Sequence, residues 1–359
     1  MRPRNLGRTT SLFLLVASAL GLAPAAGQAA DAVADFYRGK QIRVIIGVEA
    51  GTSYDLYARA VTRHMVRHIP GNPVVLPQNM FGASGRIAAN WMYNVAPRDG
   101  SVIATFSQSA PVDQALKQEG VQFDAARFNW LGNPIVDSTV TITWAAKGIR
   151  TLDDVRAKGL ICGGTAASSP SNTFPQIINN LTGTRIRIIS GYNGATASAL
   201  AMERGEVDCV GNTWAGLKST LPHLLAEQKL NILVQWGVEK HPEIVAYHDY
   251  DVPLSVELAK TDQDRRVMDI VNSGIALGRP LVAPPDVPRD RIEALRRAFD
   301  LTMKDPEFIA DAAKEKLDLN PLSGEKMQTI AGEVAQSSPE VMSRVKELMT
   351  PKDIEKLKP

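Results

Sequence analysis

The sequence predicts an α/β fold in two lobes, each a doubly wound sheet flanked by helices, with a ligand cleft between them. Three observations predict it. Short β-branched runs alternate with amphipathic helical patterns along most of the chain. Successive strand-like runs end in loops rich in Gly, Ser, Thr and Asn, and in open α/β sheets ligands sit beyond the strand carboxyl ends. Two β-rich segments, within residues 127–146 and at Ile232–Trp236, read as crossings between lobes, and a chain of 359 residues is long enough for two cores. Residues 33–140 and 240–359 are assigned to lobe 1 and residues 141–239 to lobe 2.

The first 29 residues read as a signal peptide. Arg2, Arg4 and Arg8 precede a short apolar core at residues 11–22, and small residues follow, with cleavage after Ala29 or Ala32. That core is shorter than the roughly 20 residues needed to span a bilayer. No second stretch is as apolar, so an exported, soluble protein is expected. Loss of the three arginines takes the formal net charge from +2 to −1. No Lys/Arg stripe interleaves with aromatics, which argues against nucleic acid as a partner.

The chain is best read from Val44-Ile45-Ile46, a buried strand, which turns through Ala50-Gly51 into a helix carrying Tyr54, Tyr57, Val61 and Met65 on one face. Thr52 is the expected N-cap, with Asp55 three residues on as in a capping box. A strand that feeds a helix through a glycine turn aims unpaired N–H groups at one point and suits a carboxylate. Val74-Val75-Leu76 is the second strand, leading through Gly82-Ala83-Ser84 to a helix over residues 87–95. Residues 101–106 form the third strand, ending at Ser107-Gln108. The same grammar repeats at Ile161-Cys162-Gly163-Gly164, at Arg185 to Ile189 and at Glu206 to Val210, ending in loops with Thr165, Ser168 and Ser169, with Tyr192 and Asn193, and with Asn212 and Trp214. In the tail, Ile292, Leu295, Phe299 and Met303 make one apolar helical stripe, and Pro306 opens another helix.

Cys162 and Cys209 both fall in strand-like runs. A disulfide is possible if those strands are neighbours, but free buried thiols are the favoured reading, because Cα spacing constrains bonds across parallel strands. His64 and His68 stand four apart, as two metal ligands would. No Glu follows His64, however, and Arg63 and Arg67 suggest a solvated face. Nucleophile-elbow, phosphate-loop and dinucleotide signatures are missing from the strand–helix junctions. No catalytic residue, metal or cofactor is expected, and the chain reads as a non-enzyme.

Several runs together resemble one family. They are Asp35-Phe36-Tyr37-Arg38-Gly39-Lys40, Gly47 to Arg59, Ile69 to Pro73 with Gln78-Asn79-Met80, Ala88 to Gly100, Gly191-Tyr192-Asn193-Gly194 with Ala201 to Val207, Gly278-Arg279-Pro280 to Pro285, and Met303 to Phe308. The chain is similar over nearly its whole mature length to the substrate-binding receptors of tripartite tricarboxylate transporters, the Bug receptors. The resemblance implies a type II periplasmic binding protein fold and a monomer that captures a small-molecule carboxylate and hands it to integral-membrane permease subunits. It also implies that the carboxylate is held by loop amides, hydroxyls and water, without an Arg clamp.

Carried onto this sequence, the contacts implied in lobe 1 are Ala50, Gly51, Thr52, Ser53 and Asp55, then Gly82, Ala83 and Ser84, then Ser107 or Gln108. In lobe 2 they are Gly164, Thr165, Ser168, Ser169, Tyr192, Asn193, Asn212 and Trp214. Thr52 and Ser168 are expected to donate and Asp55 to organise. Tyr54, Phe81, Tyr192 and Trp214 are available to wall the cleft. Where relatives carry an apolar residue and glycines, this chain has Val48-Glu49-Ala50-Gly51-Thr52-Ser53, and Glu49 is expected to point away from a bound acid. Two other functions compete: a receptor that docks on a membrane sensor kinase, and an exported α/β enzyme.

Overall fold

The computed structural model of the chain describes residues 32–165, 169–192 and 194–351. Residues 1–29, the segment expected to be a signal peptide, lie outside them. The chain begins β1 (Gln41–Ile46), α1 (Ser53–Met65), β2 (Val74–Asn79), α2 (Arg86–Asn94), β3 (Val102–Thr105), α3 (Ala110–Ala115), β4 (Asn129–Asn133). It continues β5 (Thr139–Trp144), α4 (Leu152–Lys158), β6 (Leu160–Gly163), α5 (Pro170–Thr182), β7 (Ile186–Ile189), α6 (Gly194–Glu203), β8 (Cys209–Thr213), α7 (Trp214–Thr220), α8 (Pro222–Ala226), β9 (Leu230–Trp236). The tail is α9 (Pro242–Tyr247), α10 (Asp262–Leu277), β10 (Leu281–Ala283), α11 (Arg289–Thr302), α12 (Pro306–Lys314), β11 (Leu322–Ser323), α13 (Gly324–Ala335) and α14 (Pro339–Met349).

Two mixed sheets result. One has six strands in the order β11-β4-β10-β3-β1-β2, and the other five in the order β7-β6-β8-β5-β9. In the first, β1 runs parallel to β2 and β3, and β10 enters antiparallel between β3 and β4. In the second, β6 is parallel to β7 and β8, while β5 is antiparallel to β8 and β9. Period-two side-chain alternation explains the double layer of helices. Ile42, Val44 and Ile46 enter one core with α1, α11 and α12, whereas Ile45 points into the opposite core with α2 and α13.

Ile232–Trp236, expected as a return crossing, belongs to β9, a buried strand paired along β5. Gly211, Asn212 and Thr213, expected in a loop, stay in β8 and pair with β5. The tail divides between the sheets. Its α11 and α12 pack on the first, while Val267 and Met268 of α10 and Val345 and Leu348 of α14 share a core with Phe174 and Trp236 of the second.

The cysteines are bonded to each other rather than free. Cys162 and Cys209 are direct register partners on parallel β6 and β8, with Cα atoms 4.4 Å apart, at the short end of what a disulfide spans. Which strands are neighbours decides the matter, and the sequence pattern does not carry strand order.

The histidine face of α1 is also not solvated. His64 is 7% exposed; its Nε2 lies 2.9 Å from Asp311 Oδ2, and its ring stands edge-on to Phe308. His68 Nε2 lies 2.9 Å from Asp305 Oδ2. All three partners come from α12 or its N-cap, so carboxylates on a distant helix answer the basic face of α1. Among the described residues, no cluster of His, Cys, Asp and Glu could hold a metal ion, and no helix is long and apolar enough to cross a membrane.

Candidate ligand-binding site

A cavity of about 740 Å³ opens where the loop after β3, the loop after β6 and the end of β8 meet α10 and the turn that follows it. The loop after a strand of the first sheet and strand ends of the second line it, in keeping with the crevice rule for strand carboxyl ends. A smaller cavity of about 460 Å³ lies along α10, bordered by Arg266, Asp269 and Glu333, and none of the expected site residues borders it.

Five of the expected residues line the larger cavity: Ser107, Gln108, Thr165, Ser169 and Asn212. On the second-sheet side the hydroxyls of Thr165, Ser169 and Ser171 form a mutual cluster, with oxygen–oxygen distances of 2.8–3.0 Å, at the start of α5. On the first-sheet side Ser107 Oγ and Ser109 Oγ are 2.8 Å apart, and Ser109 Oγ donates to Asp113 at 3.0 Å. Gln108 Oε1 accepts from the Tyr54 hydroxyl at 3.1 Å. Ser168 and Asn193 lie outside the described residues, as does the side chain of Ser84.

The turn before α1 is arranged differently from the expectation. Ala50, Gly51, Thr52 and Ser53 are exposed and do not line the cavity. Thr52 holds the N-cap position but makes no side-chain cap; its hydroxyl donates to Glu49 O at 2.9 Å instead. The chain supplies its own anion here. Asp55, 3% exposed, accepts from Gly51 N at 2.9 Å, from Arg59 at 2.8 Å and from Asn79 at 3.0 Å. Burial alone would raise the Asp55 pKa, but those hydrogen bonds hold it below the usual carboxylate range. Asp55 therefore organises the turn from inside. Glu49 is exposed and likewise does not border the cavity.

Other expected residues support the walls from behind. Gly82 has φ +131° and precedes Ala83, which itself has φ +46°; neither lines the cavity. Gly164 sits so close to Asn172 that a Cβ would collide with its amide. Tyr192 packs at the edge of the core on one face of the second sheet. Trp214 does not face the cleft: it is 4% exposed in that same core, and its Nε1 donates to Glu243 at 2.6 Å. Among the four aromatics considered for the wall, Tyr54 alone reaches the cavity.

Sequence reasoning missed Arg279. It lines the cavity from the turn between α10 and β10, and its only signal was its place in Gly278-Arg279-Pro280. Gly278 has φ +51°, and its Cα approaches Asn133 and Ile135 O too closely for any Cβ. Asn133 Oδ1 accepts from Arg279 N at 3.0 Å, and Asn133 Nδ2 donates to Ala276 O at 3.0 Å, so the backbone of the turn is pinned on both sides. The guanidinium donates through Nε to Ser53 Oγ at 2.6 Å and lies over the rings of Tyr57 and Tyr54, 5.1 and 6.0 Å from their centroids. Burial pushes the Tyr57 phenol up to about 12 and raises Tyr54, so both rings stay neutral at ordinary pH.

Two acids border the same cavity. Burial raises the pKa of Asp137, opposed by a hydrogen bond to Thr213 and by the charge of Arg279, and burial likewise raises Asp113. The space thus sets hydroxyls, amides and two guanidinium groups, with the carboxyls of Asp113 and Asp137, among apolar side chains such as Phe174, Val345 and Met349. That suits a small anion.

No family model matches the chain. The crystal structure of a TctC solute binding protein from Polaromonas superposes with a TM-score of 0.66 at 16% identity, covering 87% of this chain and 99% of that one. The fold is that of the TctC solute-binding proteins. MatC from Rhodopseudomonas palustris, solved with bound malate, shares this TctC-like fold at a TM-score of 0.53 and 16% identity, again over 87% of this chain and 99% of that one. In sequence, the UPF0065 protein in the gbd 5' region of Cupriavidus necator is 24% identical over 340 residues, 91% of this chain and 93% of that protein.

Proposed function

We propose that the chain is a periplasmic receptor that captures a small organic acid and delivers it to the permease subunits of a tripartite tricarboxylate-type transporter. The observation that carries this reading is the cavity of about 740 Å³, whose walls set hydroxyls, amides and Arg279 among apolar side chains. The TctC-like fold agrees with it, and the malate bound to MatC gives the ligand class a precedent in that fold. The lobes inferred from the sequence, residues 33–140 with 240–359 and residues 141–239, close on the acid in this reading, although α10 and α14 of the first share a core with the second.

Isothermal calorimetry of the chain lacking residues 1–29 against succinate, malate, adipate and citrate tests the proposal. Saturable binding of at least one acid, lost when its carboxylates are converted to amides, is expected. Heat from none of them, or equal heat from acid and amide, overturns it.

A further inference from the structure

We propose that Arg279 is the residue that grips the ligand's carboxylate, and that the face of α1 bearing Ser53, Tyr54 and Tyr57 serves to aim its guanidinium. This rests on the carboxylate-receptor reading above and deepens it. It also departs from the capture by amides, hydroxyls and water, without an Arg clamp, that the motif resemblance implies.

The arginines near the cleft differ in how far their guanidinium groups are already engaged. Arg59 is committed to Asp55 and Asn79. Arg86 borders the cavity but spends Nη1 on Gln118 at 2.9 Å. Arg279 differs. Its backbone N–H is held by Asn133 and its Nε by Ser53, yet Nη1 and Nη2 have no hydrogen-bond partner among the described residues, and no carboxylate there lies within ion-pair distance of it. A half-buried guanidinium with two free terminal nitrogens presents the planar fork that matches a carboxylate in a bidentate pair.

The fork is also set in advance. A free arginine side chain loses much rotamer freedom on binding, which offsets the gain from the pair. Here one hydrogen bond at 2.6 Å and two neutral rings already restrict it. Tyr57 is in turn fixed by donating its hydroxyl to Asp318 O at 2.8 Å, and Tyr54 by its bond to Gln108 on the adjacent wall. A solvent-facing arginine with a purely structural role would have no use for such a cradle at the edge of a cavity.

The test is a double-mutant cycle between protein and ligand, read by calorimetry. The proteins are wild type, Arg279→Gln, Arg279→Lys and Ser53→Ala; the ligands are the best-binding acid and its mono-amides. Arg279→Gln is expected to weaken the acid by about ten- to a hundred-fold, the range of one charge-assisted pair. Arg279→Lys should recover only part of that loss, because a point charge does not reproduce the fork. Ser53→Ala should give a smaller loss of the same kind. One mono-amide should bind wild type weakly but bind Arg279→Gln about as well as the acid does, since that variant has lost the group which reads the missing carboxylate. If Arg279→Gln binds the acid within two-fold of wild type, or if the two losses simply add, the assignment to Arg279 is overturned while the receptor reading stands. If wild type binds no acid, both are overturned. Should Arg279→Gln unfold, Ser53→Ala and Arg279→Lys carry the same cycle, and additivity in both overturns the assignment.

Discussion

Asp137 shows how one buried carboxyl ties stability to pH. Its pKa is raised in the folded chain by burial, against the opposing charge of Arg279, with Asp318 and Lys218 also within electrostatic reach. Between its unfolded and folded pKa values the native state therefore binds more protons than the unfolded state. Stability falls as pH rises through that window, and the penalty is fully present above the folded value. Asp137→Asn keeps an acceptor for Ala215 N, which the carboxyl meets at 3.4 Å, and removes the charge. Thermal unfolding should show a higher Tm than wild type at pH 7 and little difference near pH 3; a higher Tm at both would contradict the linkage. An acid bound at Arg279 places a second negative charge near Asp137. Removing the Asp137 charge with Asp137→Asn should thus tighten the binding of succinate at pH 8 relative to wild type. Gly278 makes a simpler residue-scale case. At φ +51° with Asn133 and Ile135 O against its Cα, Gly278→Ala should cost about 2 kcal/mol or more by strain and overpacking, seen as a lower urea midpoint.

Elements were legible wherever a short-range pattern decides them. The strand at Val44-Ile45-Ile46 and the tail helix opened by Pro306 both lie where periodicity and turn chemistry place them. What the pattern cannot express is which element comes to lie against which. The histidine face of α1 looked solvated because Arg63 and Arg67 flank it, yet Asp305, Glu307, Asp311 and Glu315 reach it from more than two hundred residues away. Depressed carboxyl pKa values at Asp305 and Asp311 follow from that contact. Burial opposes the shift at Asp305, which bonds to His68, Glu307 N and the Arg67 charge overcome, while at Asp311 the bonds to His64 and Lys314 dominate. The stability these two supply is present above the unfolded carboxylate pKa and is lost as pH falls through their folded values. The disulfide is hidden for the same reason: strand order makes it. Closing a loop between residues 47 apart, it should contribute about 3–4 kcal/mol, and Cys162→Ala with Cys209→Ala should lower the urea midpoint accordingly without changing the secondary structure seen by circular dichroism.

At the scale of the whole molecule, the class of fold and the crevice at the strand carboxyl ends could be read in advance, because alternation of strands and helices over a long chain leaves few other architectures. The composition of the crevice was read in part. Ser107, Gln108 and Thr165 are on its wall because they follow strands closely, Asn212 because it lies at the end of β8, and Ser169 because it holds the N-cap position of α5. Arg279 escaped notice because it approaches from a turn whose position depends on Asn133, 146 residues earlier in the chain. Ala50 to Ser53 looked like an anion site because the geometry that attracts an anion is there, but Asp55 already fills it. If the two lobes close around an acid, small-angle scattering should show a smaller radius of gyration with saturating ligand than without. An unchanged radius at saturation would mean that the cleft binds without closing.

The bond between Cys162 and Cys209 also bears on when the protein can work. It joins β6 and β8, the two strands that carry Thr165 and Asn212 to the cleft, and their parallel ladder spans only two register pairs. In a reducing compartment those strands would be held by that short ladder and the surrounding core alone. The second wall of the cleft would thus be held more loosely before the chain reaches oxidising surroundings than after it.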